Sequence, residues 1–282
     1  MGAEEVNAEV LDVRRVAVPA AAARRRWSLQ VLLHNLAAAL IVLAVWQLST
    51  VIVRSVFFPS PLQVLRAMID LGVNGDVTGH SLLTHIRWSL LRLLAGFAMG
   101  VALGVPLGLV MGLYKPLYTG TRAALEPFRF IPPIAWIPLT IVLLSGFSRY
   151  VFLIWLGAFF PIFVATLVGV PRVELIHKNV AQVHGAGRWY ILTRVVIPSV
   201  LPDILGGMRV GMGTAWMTIV AAEMSGGETT GLGRMMVNYA ELLRIPEIVV
   251  GMILIGVLGF FMNEVVLRIE KRVFRWRWEV SL

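Results

Sequence analysis

Four long stretches without a charged residue constrain the fold of this chain more than any other feature. They hold 27, 22, 19 and 22 residues and lie between Arg26 and Arg54, Arg92 and Lys115, Arg129 and Arg149, and Arg149 and Arg172. A helix needs about 20 apolar residues to cross the hydrocarbon core of a bilayer. Only 15% of the 282 residues are charged and 58% are hydrophobic. The sequence therefore predicts an all-α, polytopic membrane protein.

Hydropathy predicts six membrane-spanning helices, at residues 29–53, 87–112, 124–146, 150–170, 200–224 and 246–267. The first is too long for the core of a signal peptide and lacks a cleavage pattern of small residues. We therefore expect it to be retained as an anchor.

The basic residues predict the orientation of these spans. If the N-terminus is cytoplasmic, 16 of the 25 lysines and arginines fall in inner segments and seven in outer segments or at the outer span ends. Inner loops of membrane proteins carry such an excess. Both termini are therefore predicted to be cytoplasmic, and the net charge of +9 is explained by topology rather than by binding of nucleic acid.

This topology divides the chain into five parts. They are a cytoplasmic tail (1–28), the first helix (29–53), an extracytoplasmic segment (54–84), a core of five helices (85–268) and a second cytoplasmic tail (269–282). In the extracytoplasmic segment, Ser60 followed by Pro61 predicts the start of a short helix that lies at the membrane surface.

Two patterns of small or rigid residues stand out in the predicted spans. The second span has glycines at intervals of four residues, which let another helix of the chain, or another subunit, approach closely: Gly96, Gly100, Gly104, Gly108 and Gly112. The third span has four prolines, and the backbone groups that they free are tolerated at membrane depth only beside protein or water: Pro127, Pro132, Pro133 and Pro138. We expect the third span to line a cavity.

No catalytic, metal or cofactor site is predicted. The chain has no cysteine, and none of its lysines (Lys115, Lys178, Lys271) follows a glycine as a P-loop requires. The five histidines lack the spacing of zinc ligands. The chain is therefore expected not to be an enzyme but a conduit, carrier or scaffold whose energy is supplied elsewhere.

Residues 179–204 read "NVAQVHGAGRWYILTRVVIPSVLPDI". This resembles the signature loop of ATP-binding-cassette (ABC) importer permeases: Glu-Ala-Ala, three residues, Gly, nine residues, Ile, one residue, Leu, Pro. Gly185 and Pro198 take the Gly and Pro positions, Ala181 takes the third place of the triplet, and Asn179 replaces its Glu.

In that family the loop forms a short coupling helix that docks on the ATPase subunit. The resemblance implies this role for the loop 172–194, with the coupling residues Asn179, Ala181, His184, Gly185, Arg188, Trp189, Tyr190 and Pro198. The residue types suit it, because glycine permits a sharp corner and arginine, tryptophan and tyrosine are frequent interface anchors. The alternative is an ordinary basic loop between helices.

Three further stretches resemble the second, third and fifth spans of nitrate, sulfonate, taurine and bicarbonate importer permeases. They are "LRLLAGFAMGVALGVPLGLVMG", "PFRFIPPIAWIPLTIVLLSG" and "GGMRVGMGTAWMTIVAAEM". The resemblance implies a type I ABC importer permease fold in the bacterial cytoplasmic (inner) membrane. It also implies a second permease copy in a homodimer, two ABC ATPase subunits that bind ATP and Mg²⁺, and a soluble or lipid-anchored substrate-binding protein.

A small oxyanion is the expected solute, because two arginines fall within the predicted spans, where ionisable groups are costly and often functional. Arg209 is a candidate for the cavity or for a structural ion pair, and Arg129 for the cavity or for the inner surface. The other candidates for the translocation path are Pro132, Pro133, Trp136, Met212, Trp216 and Glu223. Trp136 and Trp216 could form a gate or pack against the second span. Met212 could line the path or fill space, and Glu223 could face the outer vestibule or pair with Arg149 or Arg234.

Three alternatives stay open from the sequence. An ABC permease for a neutral heterocyclic solute would share all the motifs above. An ion-coupled secondary transporter would need intramembrane carboxylates for coupling and often a paired repeat, and a membrane scaffold would have no use for a proline-broken span.

Overall fold

The computed structural model describes residues 29–173 and 175–273, and most of these residues are helical. The predicted tail 1–28 and residues 274–282 of the second predicted tail lie outside the described residues. In chain order the α-helices are α1 Leu29–Val53, α2 Pro61–Val73, α3 Leu82–Leu113, α4 Lys115–Phe130, α5 Ile137–Leu143, α6 Gly146–Gly169, α7 Leu175–Val183, α8 Arg188–Ile191, α9 Ile197–Met224, α10 Leu232–Glu241 and α11 Ile245–Val273.

The chain divides into two units, residues 1–54 and 55–282. The described helix of the first unit is α1, which coincides with the first predicted span and has no acidic residue in its first turn and no basic residue in its last. All the other helices belong to the second unit.

Five stretches of the described residues are long and apolar enough to cross a membrane: Val31–Val53, Leu82–Leu113, Gly146–Arg172, Arg188–Met224 and Ile245–Val273. Five of the six predicted spans overlap these stretches, but not all their ends agree. The second begins at Leu82 rather than 87, because Ser81 caps the helix there and its side chain accepts from the Thr84 amide.

The third predicted span, 124–146, is not one continuous helix. Its residues belong to the end of α4, a 3₁₀ turn at Pro133–Trp136 and the short helix α5. Ile131 is extended, with ψ of 114°, as expected for a residue before proline. The two consecutive prolines that follow also remove backbone donors, so the helix breaks where the proline pattern predicts.

The glycine stripe of α3 packs within the chain, against α6. Each glycine faces one residue of the stretch Gly146–Arg172, which contains α6. Both members of the pairs advance by four residues at a time. The pairs are Gly96 with Ile154, Gly100 with Ala158, Gly104 with Ile162, Gly108 with Thr166, and Gly112 with Val170. A Cβ on Gly96 would lie 2.5 Å from the Cβ of Ile154, and one on Gly108 would lie 2.7 Å from that of Thr166. This close approach of parallel helices is the small-residue packing typical of membrane proteins.

Helix α6 also packs tightly against α9. A Cβ on Gly207 of α9 would lie 2.5 Å from the Cβ of Ala165, and one on Gly211 would lie 3.0 Å from the carbonyl oxygen of Ala158. Gly207 and Gly211 permit this close helix contact. The buried core, which includes Leu153, Ile154 and Ile162, therefore centres on α6.

The core bundle has two ends, which the connecting segments define. The hairpin end carries residues 170–197, and the loop end carries residues 225–231, which join α9 to α10. The predicted surface helix is α2, whose N-terminus is closed by a capping box of Ser60 and Gln63. Its buried residues, Val64, Ala67 and Leu71, form one stripe that faces the bundle.

Candidate functional site

A cavity of about 800 Å³ opens between α6, α9 and the broken third span. The residues that line it lie on three segments of the chain: Arg129, Ile131 and Pro133; Leu156, Gly157, Phe160, Pro161, Val164, Ala165, Val168 and Arg172; and Pro202, Asp203, Gly206, Gly207, Val210 and Thr214. The sequence-based expectation that the third span lines a cavity is met by the residues around its break.

The cavity extends from the middle of the bundle to its hairpin end. Pro133 lies against Gly157, near the midpoint of α6, where the hydroxyl of Thr214 donates to the Gly157 carbonyl at 2.7 Å. At the other extreme, Arg172 and Asp203 lie beside the hairpin end, and we call this region the mouth of the cavity. Most of the wall is apolar or glycine, so the charged groups dominate its chemistry.

The three charged residues of the cavity are Arg129, Arg172 and Asp203. Arg172 and Asp203 form an ion pair with Nη1 3.1 Å from Oδ1. Arg129 lies in the last turn of α4, and its guanidinium carbon is 4.9 Å from the ring centroid of Phe130. Within the described ranges Arg129 has no carboxylate partner. The cavity therefore carries a net positive charge.

Arg129 and Pro133 are the members of the predicted translocation path that line this cavity. Pro132 precedes the 3₁₀ turn as its N-terminal cap residue. Trp136 stacks on Phe128, with the ring centroids 6.2 Å apart. The Nε1 atom of Trp136 is buried and has no hydrogen-bond partner among the described residues. These residues form the broken segment, but only its first half faces the cavity.

The other path candidates on α9 do not line this cavity in the described structure. Arg209 forms an ion pair with Glu270 of α11, so the structural alternative applies to this arginine. Met212 is buried in the core and fills space. Trp216 donates from Nε1 to the Ile255 carbonyl at 3.1 Å, so it packs against α11, whereas the packing alternative expected the second span, α3.

Glu223 is buried at the loop end and pairs with Arg92 of α3, not with Arg149 or Arg234 as expected. Its Oε1 is 2.8 Å from Nη1 of Arg92, and the side-chain exposures are 1% and 2%. The Ser89 hydroxyl and the Gly233 amide also donate to the carboxylate, at 2.9 and 3.1 Å. The expected pairing with Arg149 or Arg234 was wrong because the fold brings Arg92, 131 residues away in the sequence, against the carboxylate.

A second polar cluster ties the segment before α3 to the same loop. Nδ1 of His85 is 3.0 Å from the Gly231 carbonyl oxygen, and Nε2 is 3.2 Å from a carboxylate oxygen of Asp76. Burial alone would raise the pKa of Asp76, but hydrogen bonds from the Thr78 side chain and the His80 amide outweigh it and lower that pKa. Together with Arg92 and Glu223, this cluster holds the loop 225–231 on the bundle.

The hairpin end contains the segment with the predicted coupling residues. Helix α7 ends in a Schellman motif, in which the Gly185 amide donates to the Gln182 carbonyl at 2.9 Å and the Ala186 amide to the Ala181 carbonyl at 3.0 Å. Gly185 has φ of +77°, a conformation that glycine adopts without strain. The expected sharp corner at Gly185 is present, and the carbonyl of Ala181 in α7 accepts one of its two hydrogen bonds.

The tip of this hairpin exposes large apolar side chains. Trp189 is 76% exposed and Tyr190 is 57% exposed, and a concave surface next to them is lined by residues from both arms of the hairpin, among them His184 and Gly185. Asn179 and Arg188 are exposed as well, whereas Pro198 is half-buried where α9 begins. Exposed aromatic groups of this size commonly mark a surface for another protein.

The hairpin continues directly into α9 through a π-helical turn at Leu192–Val196, where the Ile197 amide donates to the Leu192 carbonyl. Pro198 follows this turn and cannot donate a hydrogen bond of its own. π-turns occur often at functional sites, and this one joins the exposed hairpin directly to α9, which forms a wall of the cavity.

No group of three or more histidine, aspartate or glutamate side chains in the described residues is placed to hold a metal ion.

Comparison with known proteins agrees with this arrangement. Residues 104–277 match the family described as "Binding-protein-dependent transport system inner membrane component". The chain is 38% identical over 237 residues to the "Probable ABC transporter permease protein" of Brucella abortus (strain 2308), covering 82% of this chain and 90% of that protein.

Two further relatives have more specific names. The chain is 31% identical to the taurine transport system permease protein TauC of Escherichia coli (strain K12), covering 91% of this chain and 94% of that protein. It is 30% identical to the nitrate import permease protein NrtB of Synechocystis, covering 76% and 80%. Among solved structures, an inward-facing form of the MetNI methionine ABC transporter matches with a TM-score of 0.60 at 20% identity, covering 68% of this chain and 95% of that one. This last match shows a shared fold.

Proposed function

This chain belongs to the family of binding-protein-dependent transport system inner membrane components, and we propose that it moves a small oxyanion across the cytoplasmic membrane in an ATP-driven ABC importer. It is an ABC transporter permease, a transport subunit. The solute, the orientation and the partner subunits are the proposed part. The anion proposal rests on one observation: Arg129 lines the cavity and has no carboxylate partner among the described residues.

The solute class follows from the charge of the cavity. Arg129 is an exposed side chain that lines the cavity on the same segment as Pro133, and ionisable groups inside membrane-spanning segments are often functional. In a low-dielectric wall a cation lowers the energy of a passing anion and raises that of a passing cation. The names of TauC and NrtB, a taurine and a nitrate permease protein, support nitrate, bicarbonate or a sulfonate as the solute of this chain.

The coupling to ATP is proposed to pass through the hairpin. Its exposed Trp189 and Tyr190 would contact an ABC ATPase subunit, which binds the ATP and Mg²⁺. The π-turn joins the hairpin directly to α9 and would carry a movement of the hairpin into this wall of the cavity. With a second permease copy, two ATPase subunits and a binding protein at the loop end, the cavity would open alternately to either side of the membrane.

The test is uptake by proteoliposomes that contain the permease with its ATPase and binding protein. Nitrate, bicarbonate, taurine and a neutral heterocycle are offered in turn, and one of the anions is expected to be taken up. Arg129→Gln should strongly reduce this uptake and leave ATP hydrolysis in place. Arg122→Gln is the matched control, because Arg122 lies on the same helix, is paired with Glu126 and is outside the cavity lining.

Two results would contradict the proposal. Preferred uptake of the neutral heterocycle would support the alternative of a neutral solute. Anion uptake that Arg129→Gln and Arg122→Gln leave equally unchanged would remove Arg129 from the transport path.

A further inference from the structure

The two arginines of the cavity differ in how their charge is compensated. Arg129 lines the cavity on the same segment as Ile131 and Pro133 and has no carboxylate partner in the described part of the chain. Arg172 lies at the mouth, and its Nη1 is 3.1 Å from Oδ1 of Asp203. Among the described residues, Arg129 therefore carries the uncompensated positive charge of the cavity, whereas the charges of Arg172 and Asp203 offset each other.

Asp203 is the more firmly held member of the pair at the mouth. Its side chain is 29% exposed, against 67% for Arg172. It packs on the end of α6, where a Cβ on Gly169 would lie 2.8 Å from the Cβ of Asp203 and 2.9 Å from Oδ2. Gly169 thus provides the space in which the carboxylate reaches Arg172, and the arrangement depends on the absence of a side chain there.

Stability does not explain this pair, because exposed ion pairs contribute little to folding. The pair has a larger effect on how tightly a passing anion is bound than on folding. A free guanidinium has a fork of donors that binds oxyanions through paired, charge-assisted hydrogen bonds. At the mouth Asp203 occupies part of that fork.

We propose that Asp203 is a release residue, a specificity-determining group that prevents the departing anion from being held by Arg172 at the mouth. The inference rests on the proposed anion import, in which the mouth faces the cytoplasm. Without the carboxylate, Arg172 becomes a second anion site on the exit path. Anions that accumulate inside then bind at this site and slow further import.

The experiment measures import into proteoliposomes loaded with increasing concentrations of the same anion, using whichever of nitrate, bicarbonate or taurine the wild-type complex transports best. In Asp203→Asn, the internal concentration that halves import should fall by about tenfold, the size of one modest charge-assisted contact. Import into vesicles without internal anion should fall much less. Glu126→Gln is the control, since it removes an exposed carboxylate that pairs with Arg122 outside the cavity lining.

The double variant Arg172→Gln/Asp203→Asn separates this role from a structural one. It removes the proposed second site and should restore the wild-type tolerance of internal anion. A double variant as sensitive as Asp203→Asn would overturn the inference, and so would an Asp203→Asn variant that behaves like wild type. A wild-type complex that imports no anion would contradict the proposed function itself, and the release role would fall with it.

Discussion

At the scale of single residues, the buried pair of Arg92 and Glu223 is the feature on which the loop end most depends. Arg92 also donates to the Thr230 carbonyl at 2.7 Å and lies 4.2 Å from the ring centroid of Tyr150. One guanidinium therefore connects α3, α6, α9 and the loop. A buried pair is costly to form, but it is far more costly to leave one of its charges alone.

We expect Arg92→Met to lower the stability of the purified permease by about 3–5 kcal/mol, because Glu223 is left as an unpaired buried charge. The measurement is a thermal unfolding scan in detergent. Arg122→Met, which breaks an exposed pair on α4, is the control and should leave the transition unchanged. Equal transitions for the two variants would show that the buried pair does not hold the loop end together.

The same residues show how far sequence reasoning reaches at this scale. Arg129 could be named as a candidate, because a charge in an apolar run is visible in the sequence. The partners of Arg209 and Glu223 were not predicted, since their sequence separations are 61 and 131 residues and nothing local specifies a partner so distant. Asp203 and Arg172 were not among the path candidates, and only the cavity gives them a shared position.

At the scale of helices, the glycine stripe of α3 was readable because its period of four residues matches one face of a helix. The sequence left open whether the partner was in the same chain or in another subunit. The structure identifies it as α6. Proline positions likewise predicted the break in the third span, but not that α4 would continue as a helix from Lys115 into the predicted span.

We expect Gly108→Leu to destabilise the bundle by about 1–3 kcal/mol, the usual cost of overpacking a tight contact. A Cβ at this position would lie 2.7 Å from that of Thr166 and 2.8 Å from the Phe163 carbonyl oxygen. The check is the midpoint of thermal unfolding in detergent. Gly256→Leu on α11, where nothing lies within 4 Å of the added Cβ, should be tolerated. A Gly108→Leu protein as stable as Gly256→Leu would mean that α3 and α6 can separate freely.

The hairpin gives a second prediction at this scale. Gly185→Ala forces an L-residue into φ of +77°, at a cost of about 1–2 kcal/mol, and should shift the tip that carries Trp189 and Tyr190. We expect import to fall while ATP hydrolysis continues, measured on the same proteoliposomes. Gly187→Ala, at φ of −70° with open space around it, should import normally. Undiminished import by Gly185→Ala would argue against the hairpin as the coupling element.

At the scale of the whole molecule, the excess of basic residues predicts that the hairpin end is cytoplasmic and the loop end is outside. The chain contains no cysteine, so single cysteines can be introduced without background. We expect Asn179→Cys to react with a membrane-impermeant maleimide only after the cells are opened, and Glu228→Cys to react on intact cells. Labelling of Asn179→Cys from the outside would reverse the topology.

The long separation between Arg92 and Glu223 also has a consequence for biogenesis. The two residues are 131 positions apart, so at about 5–20 residues per second the ribosome adds Glu223 roughly 7 to 26 s after Arg92. During that interval α3 has already left the ribosome with a guanidinium that has no counter-ion from this chain. The insertion machinery, water or lipid headgroups must solvate it near the membrane border. The ion pair between α3 and α9 can therefore form only after the fifth span has been made, with α10 and α11 still to follow.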